Sequence, residues 1–219
     1  MSAGIKETAL PELPVFAISR LRMATDGEGI TTLVGCAGCP LRCRYCINPH
    51  AWRPETPVRR YGVRALVDLL RQDDLYFAAT GGGVTFGGGE PLLHAPFIAA
   101  LARECPSHWK IRVESALNVP ESAVRMLWDA VSQWIVDAKD LNPAIYRAYT
   151  GQDAMPALRN LHLLATHCPD RVQIRLPHIP EYNYPEDVDA SEQMLRTMGF
   201  LRIERLTYRL PAQKHGTEE

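Results

Sequence analysis

Gly38-Cys-Pro-Leu-Arg-Cys-Arg-Tyr-Cys-Ile-Asn48 is the most informative segment of this chain. It places three cysteines, Cys39, Cys43 and Cys46, at the spacing Cys-x3-Cys-x2-Cys. Cysteine thiolates are soft ligands that suit iron–sulfur clusters. Three of them would leave one iron of a 4Fe-4S cluster without a protein ligand. The spacing therefore predicts a redox cluster that is open to a small molecule.

Zinc binding and disulfide formation are two alternative roles that these cysteines could have on sequence alone. Cys36 could complete a four-cysteine zinc site, although zinc modules usually separate two cysteine pairs by a dozen or more residues. Disulfides would require an oxidising compartment. The first thirty residues carry Lys6, Glu7 and Glu12 where a secretion signal needs an apolar core. We therefore expect reduced cysteines in a cytoplasmic protein, with Cys36 a buried thiol.

Length and charge exclude several classes of protein. The 219 residues include 24 Lys+Arg and 25 Asp+Glu, without a block of like charge, so nothing favours nucleic-acid binding. The sequence has no run of about 18 apolar residues, so no membrane span is predicted. This length suits a single domain. We expect an N-terminal lead-in over residues 1–25, a core over 26–210 and a polar tail over 211–219.

Runs rich in Val and Ile alternate with segments of helical period, which is the pattern of βα units around a parallel sheet. Six strands are predicted, near residues 30–35, 82–86, 110–114, 133–138, 171–176 and 202–207. Helices are predicted between them, near residues 61–71, 95–104, 120–131, 154–167 and 185–198. Six units cannot close an eight-stranded barrel. The predicted α/β fold is therefore a partial, TIM-like (β/α)6 barrel, with its chemistry at the C-terminal ends of the strands.

Three further motifs lie at or near the C-terminal ends of predicted strands. Val84-Thr-Phe-Gly-Gly-Gly-Glu-Pro91 contains glycines that let the backbone approach a ligand closely, and Glu90 adds a carboxylate. In Val136-Asp-Ala-Lys139, strand alternation puts Asp137 and Lys139 on one face. The fifth strand carries Arg175, whose guanidinium group suits a carboxylate or ribose oxygens.

These motifs, with Asp26-Gly-Glu-Gly-Ile30 before them, resemble in order and spacing the radical S-adenosylmethionine (SAM) activating enzymes of glycyl radical enzymes, the pyruvate formate-lyase activating enzymes among them. The segment 140–151 favours these activases over other radical SAM enzymes. The resemblance covers nearly the whole chain. It implies the (β/α)6 radical SAM fold and a 4Fe-4S cluster held by Cys39, Cys43 and Cys46. It also implies cleavage of SAM and removal of a Cα hydrogen from a glycine of a partner enzyme.

The resemblance further implies which residues bind the cofactors. Tyr45 takes the position of an aromatic residue beside the adenine, and Ile47 could add backbone contacts. The other implied SAM contacts are Gly88, Gly89, Glu90, Asp137, Lys139 and Arg175. Glu114, Ser115 and Asp137 correspond to a monovalent-cation site, with Glu in place of the more usual Asp. Arg209 stands where relatives carry a histidine near the adenosine.

The implied partners are a glycyl radical enzyme and a protein reductant such as flavodoxin or ferredoxin, with no nucleic acid and no membrane. A second hypothesis is a radical SAM enzyme that acts on a small molecule or peptide. A third, from a different class, is a zinc- or cluster-binding protein without catalysis. Metal content and SAM cleavage separate the three.

Overall fold

The computed structural model describes residues 12–23 and 25–208. Eight strands lie in this part of the chain, and they are β1 Leu13–Met23, β2 Ile30–Cys36, β3 Arg59–Tyr61, β4 Gly83–Gly88, β5 Lys110–Ser115, β6 Gln133–Asp137, β7 Val172–His178 and β8 Arg202–Thr207. They form one sheet in the order β3-β1-β2-β4-β5-β6-β7-β8. The sheet has two edges, β3 and β8, so it is an open barrel.

The six strands from β2 to β8, without β3, pair in parallel. They are the six strands that the sequence predicts, and the partial (β/α)6 barrel is confirmed. The sheet also contains two strands that were not predicted. β1 and β3 pair antiparallel at one side of the sheet, and β1 lies within the predicted lead-in. The count of six strands is therefore corrected to eight for the described residues.

Helices connect the parallel strands, and they are α1 Val63–Leu70, α2 Asp74–Thr80, α3 Ala95–Glu104, α4 Glu121–Leu127, α5 Pro143–Thr150, α6 Met155–His167 and α7 Pro185–Thr197. Of these, α2 and α5 were not predicted. The ends of α5 follow ordinary capping rules. The Asn142 side chain accepts a hydrogen bond from the amide of Ala144, Pro143 begins the helix, and Gly151 ends it in the left-handed conformation.

The two faces of the sheet differ in composition. On the face that packs against the helices, Phe86, Trp134 and Leu176 are completely buried within one apolar core. On the inner, concave face, the alternate residues are largely polar, as the two-residue period of a strand allows. Four of them form a row of hydrogen bonds across neighbouring strands, each 3.1 Å long, from Arg112 to Gln133, from Gln133 to Gln173 and from Gln173 to Glu204.

Among the helices of residues 12–23 and 25–208, none combines the length and the hydrophobicity that a membrane span requires.

Candidate active site

Residues 37–48, which we call the cysteine loop, begin where β2 ends, at the C-terminal edge of the sheet. Cys39, Cys43 and Cys46 are all partly buried, and none forms a disulfide with another described cysteine. Burial raises the pKa of Cys39 to about 12, and the charges of Cys43 and Cys46 act in the same direction. Burial also raises the pKa of Cys43, while the nearby ammonium of Lys139 opposes that shift. The thiols of Cys43 and Cys46 therefore lie near that of Cys39, and Cys43 lies near Lys139.

Backbone hydrogen bonds from two sides hold the loop. The amides of Arg42 and Arg44 donate to the carbonyls of Thr150, at 2.9 Å, and Tyr149, at 3.1 Å. These two carbonyls belong to the last turn of α5, where backbone carbonyls have no partner inside the helix. The segment around α5, which the sequence resemblance singles out, is thus in direct contact with the cysteine loop.

Gly88 and Gly89 join the end of β4 to the same loop. The amide of Gly89 donates to the carbonyl of Cys36 at 3.1 Å, and the amide of Glu90 donates to that of Gly38 at 2.8 Å. A Cβ atom on Gly89 would lie 2.3 Å from the Gly38 oxygen, and Gly88 has a φ of +85°. Gly89 therefore has no room for a side chain beside the loop backbone, and Gly88 adopts a conformation that favours glycine. Their predicted contacts with SAM stay a prediction.

Glu90 is 1% exposed, and its carboxylate is already surrounded by donors. The Ser115 hydroxyl (2.8 Å), the Leu92 amide (3.2 Å) and the Ala116 amide (3.1 Å) all donate to it. Burial nevertheless raises the pKa of Glu90 to about 7, against the effect of these donors. The carboxyl group thus ties the end of β4 to the end of β5, and its predicted role toward SAM stays a prediction.

Lys139 lies just beyond β6, and its ammonium donates hydrogen bonds to two groups. Its Nζ donates to Asp137 Oδ2 at 3.1 Å and to the Tyr208 hydroxyl at 3.0 Å. Burial disfavours the ammonium, yet Asp137 and the surrounding tyrosines raise the pKa of Lys139 well above its usual value. The structure therefore fixes a positive charge beside the cysteine loop, close to Cys43.

Arg175 and Glu114 form a second ion pair on the inner face. Arg175 Nη1 donates to Glu114 Oε1 at 2.6 Å, and Nη2 donates to the carbonyl of Thr25. Burial and the charge of Asp137 raise the pKa of Glu114, whereas Arg175 opposes the shift. Ser115, the third residue of the predicted cation site, uses its hydroxyl with Glu90 and the Leu117 amide. Glu114 and Asp137 thus lie together, while the Ser115 hydroxyl is engaged elsewhere.

Four tyrosines form a connected cluster of rings that includes Tyr45 of the cysteine loop and Tyr208, the hydrogen-bond partner of Lys139. Their rings lie 5.2 to 6.3 Å apart in contacting pairs, and they are Tyr45, Tyr149, Tyr182 and Tyr208. The Tyr45 hydroxyl donates to Glu181 at 2.6 Å, and this bond raises the pKa of Tyr45 to about 12. Glu181 has a φ of +70°, a strained conformation of the kind found at functional sites. By contrast, the side chain of Ile47 is 90% exposed.

Cys36 belongs to the core and not to the loop. It is completely buried, and its thiol donates to the carbonyl of Val34 at 3.6 Å. Burial raises the pKa of this thiol well above its usual range, and Cys36, unlike the three loop cysteines, has no exposed surface. These contacts favour the buried-thiol interpretation over a zinc site with four cysteines.

The donor set fits an iron–sulfur cluster better than a single ion. Among the described residues, no three Cys, His, Asp or Glu side chains gather tightly enough to hold one metal ion. A 4Fe-4S cluster is wider, because each cysteine binds a different iron. Three partly exposed thiols on one loop, beside a fixed ammonium, suit such a group and an anionic ligand of its open iron.

The sequence prediction missed four residues that the structure places here: Tyr149, Glu181, Tyr182 and Tyr208. Tyr208 directly follows β8, at the edge of the sheet where chemistry was expected, so topology could have indicated it. Tyr149 lies in the 140–151 segment that was already singled out. Arg209 lies outside the described residues.

Comparisons with known proteins show the family of this chain. Residues 33–194 match the family model of the radical SAM superfamily. The (2S)-3-sulfopropanediol sulfolyase activating enzyme of Bilophila wadsworthia is 28% identical, with 87% of this chain and 84% of that protein aligned. The isethionate sulfite-lyase activating enzyme of Desulfovibrio desulfuricans is 29% identical, with 87% and 81% aligned. A pyruvate formate-lyase-activating enzyme of Staphylococcus epidermidis is 44% identical over 79 residues, which are 36% of this chain and 32% of that protein.

Solved structures share the fold at low sequence identity. Streptococcus suis SuiB has a TM-score of 0.62 at 14% identity, with 81% of this chain and 39% of that chain covered. Methylornithine synthase (PylB) has a TM-score of 0.53 at 12% identity, with 78% and 50% covered. This chain spans about two fifths to one half of those two proteins. With three quarters of its length matched by the family model, the chain belongs to the radical SAM superfamily, whose members use a 4Fe-4S cluster and SAM.

Proposed function

We propose that this chain is an activating enzyme of a glycyl radical enzyme. The observation that carries the proposal is that relatives aligned over 87% of the chain are named as such activating enzymes. The contact between the 140–151 segment and the cysteine loop supports it, because that segment favours activases over other radical SAM enzymes. The chain would work as one radical SAM domain in the cytoplasm, with a protein reductant.

Cys39, Cys43 and Cys46 are proposed to hold the cluster. When bound, the cluster would supply one electron for the cleavage of SAM into methionine and a 5′-deoxyadenosyl radical, and this radical would remove a hydrogen atom from the substrate glycine. The partly buried positions of the cysteines would limit access of water and of other hydrogen donors. This protection matters because a free radical reacts with any nearby hydrogen donor.

The fixed charges of the inner face would orient SAM. Lys139, held by Asp137 and Tyr208, would pair with the carboxylate of SAM's methionine part. Tyr45, held by Glu181, would pack beside the adenine. The other proposed contacts come from Arg175, from the exposed Ile47 and from the Gly88-Gly89-Glu90 turn. We also propose, as part of this arrangement, a monovalent-cation site formed by Glu114, Ser115 and Asp137.

The test is the formation of a radical on a partner protein. The reconstituted chain, SAM and a reductant are mixed without oxygen with one of three enzymes: isethionate sulfite-lyase, (2S)-3-sulfopropanediol sulfolyase or pyruvate formate-lyase. We expect an electron paramagnetic resonance (EPR) doublet of a glycyl radical on one of them, lost when its glycine is changed to alanine. SAM cleavage that depends on a metabolite, without a radical on any partner, would contradict the proposal and favour a small-molecule substrate.

A further inference from the structure

The loop between β7 and α7, residues 179–184, reaches the cysteine loop through two side chains. The Tyr45 hydroxyl donates to Glu181 Oε2 at 2.6 Å, and the Tyr182 ring lies edge-on to the Tyr45 ring, with 5.7 Å between the ring centres. Tyr45 itself stands between two cysteines of the cysteine loop. The position of the β7–α7 loop therefore affects where the Tyr45 side chain lies.

Asn183 holds this loop from inside the protein. It is 2% exposed, and both polar atoms of its side chain have partners. Its Nδ2 donates to Asp140 Oδ2 at 2.9 Å and to the Pro177 carbonyl at 3.1 Å, and its Oδ1 accepts from the Ile179 amide at 2.6 Å. These bonds fix the turn that contains Glu181, whose φ of +70° persists only where the surrounding structure holds it.

The carboxylate partner of Asn183 belongs to the loop that carries Lys139. Asp140 is 3% exposed, and besides Asn183 it accepts from the Asn142 amide at 2.8 Å and from the Ser191 hydroxyl of α7 at 3.3 Å. The hydrogen bond between Asn183 and Asp140 thus joins the loop after β6 to the β7–α7 loop. It connects two segments that are 43 positions apart in the sequence.

We propose that Asn183 and Asp140 are positioning residues that set the distance between the two ends of the SAM site. Lys139 would bind the methionine carboxylate, and Tyr45, held by Glu181, would pack beside the adenine. A single ligand that spans both groups binds well only when the two loops keep their relative position, and buried hydrogen bonds behind a site provide such support. This inference rests on the proposed function, because it requires SAM to lie between Lys139 and Tyr45.

The first test compares two buried asparagines in the cluster-loaded chain. Asn183→Ala removes the bond to Asp140. The matched control is Asn160→Ala, because Asn160 is 1% exposed and its Nδ2 also donates two hydrogen bonds, to the carbonyls of Leu117 at 2.9 Å and Val119 at 2.8 Å. Neither of these two residues is a proposed SAM contact. Anaerobic urea denaturation measures stability, and anaerobic titration calorimetry measures the affinity for SAM.

We expect both alanine variants to be less stable than the wild type, because each leaves buried polar groups without a partner. At a temperature where both are folded, only Asn183→Ala should bind SAM more weakly, by about tenfold, which is the effect of losing about 1.4 kcal/mol. A role in stability alone would give the two variants the same affinity for SAM.

The second test separates the hydrogen bond from the rest of the Asn183 side chain. Asn183→Asp places a second carboxylate against Asp140 and should weaken SAM binding at pH 8, since two like charges repel. The double variant Asp140→Asn/Asn183→Asp exchanges donor and acceptor, so that one hydrogen bond still joins the two loops. We expect it to recover most of the lost affinity for SAM, as coupled neighbours do in a double-mutant cycle.

Two results would overturn the proposal. Asn183→Ala could have the same affinity for SAM as Asn160→Ala, or the double variant could bind SAM no better than Asn183→Asp does. If Asn183→Ala does not fold, the second comparison decides. A wild-type chain that holds a cluster but does not bind SAM would instead contradict the proposed function, so the two failures are distinguishable.

Discussion

The two faces of the sheet use neighbouring residues of one strand for different purposes. In β7, Leu176 is completely buried among the helices, whereas Arg175 points to the inner face and pairs with Glu114. In β6, Trp134 is buried on the helix side, and Asp137 binds Lys139 on the other. The helix side thus contributes apolar burial, and the inner side holds charges in fixed positions. Mutations on the helix side should therefore change mainly stability, and mutations on the inner side should change mainly the chemistry.

Replacing a cysteine of the loop should have a much larger effect on cluster assembly and SAM cleavage than replacing a cysteine of the core. Cys43→Ala should abolish both cluster assembly and SAM cleavage, because the cluster loses one of three ligands. Cys36→Ala should keep both, because its thiol contacts only the core. Iron and sulfide analysis after identical anaerobic reconstitution measures the difference. Loss of iron in the Cys36 variant would show that the ligand assignment is wrong.

On the helix side, Leu176→Ala should lower the free energy of unfolding by about 2 to 5 kcal/mol, because it leaves a cavity in the core. Anaerobic urea denaturation measures this loss. At a temperature where the variant is folded, its affinity for SAM should remain that of the wild type. A large loss of SAM affinity in the folded variant would mean that the two faces are not independent.

On the inner side, Lys139→Ala should weaken SAM binding by about 10- to 100-fold, which corresponds to the loss of a charged hydrogen bond worth about 1.5 to 3 kcal/mol. Tyr208→Phe should have a smaller effect, of about 1 kcal/mol, because it removes one neutral hydroxyl that positions the ammonium. Equilibrium binding of SAM to the cluster-loaded variants measures both. An equal loss of iron and of SAM affinity would contradict the role of Lys139.

A further expected effect is a pH dependence caused by Glu90. Its pKa is raised by burial to about 7, so between about pH 4.3 and 7 the folded chain keeps a proton that the unfolded chain has lost. This contribution to stability is present at low pH and disappears as the pH rises through 7. Glu90→Gln should therefore reduce the decrease in the free energy of unfolding between about pH 5 and 8. An unchanged slope in anaerobic denaturation curves would contradict the shifted pKa.

The six parallel strands could be predicted because burial on their helix side leaves a strong apolar signal, as in Val84 and Phe86 of β4. The two antiparallel strands, β1 and β3, could not be predicted in this way. β3 has only three residues, two of them exposed arginines, and nine of the eleven residues of β1 are partly buried or exposed. Tertiary pairing, rather than local pattern, determines these strands.

The candidate site divides in the same way. The cysteines of the loop and the Asp137 to Lys139 spacing are local patterns, so the sequence indicates them. Tyr208 reaches Lys139 across 69 positions, and Tyr45 reaches Glu181 across 136. Such pairs exist only after the chain has folded. The polar partners of Glu90 are also nonlocal in part, since Ser115 comes from the neighbouring strand.

We propose that the cysteine loop and the inner face together bind a cluster and present SAM to it. The most direct measurement is EPR of the reduced, reconstituted chain before and after the addition of SAM, with chromatography of the same sample for 5′-deoxyadenosine. We predict a SAM-dependent change of the cluster spectrum and formation of 5′-deoxyadenosine. A complete cluster whose spectrum does not respond to SAM, with no 5′-deoxyadenosine formed, would contradict the claim.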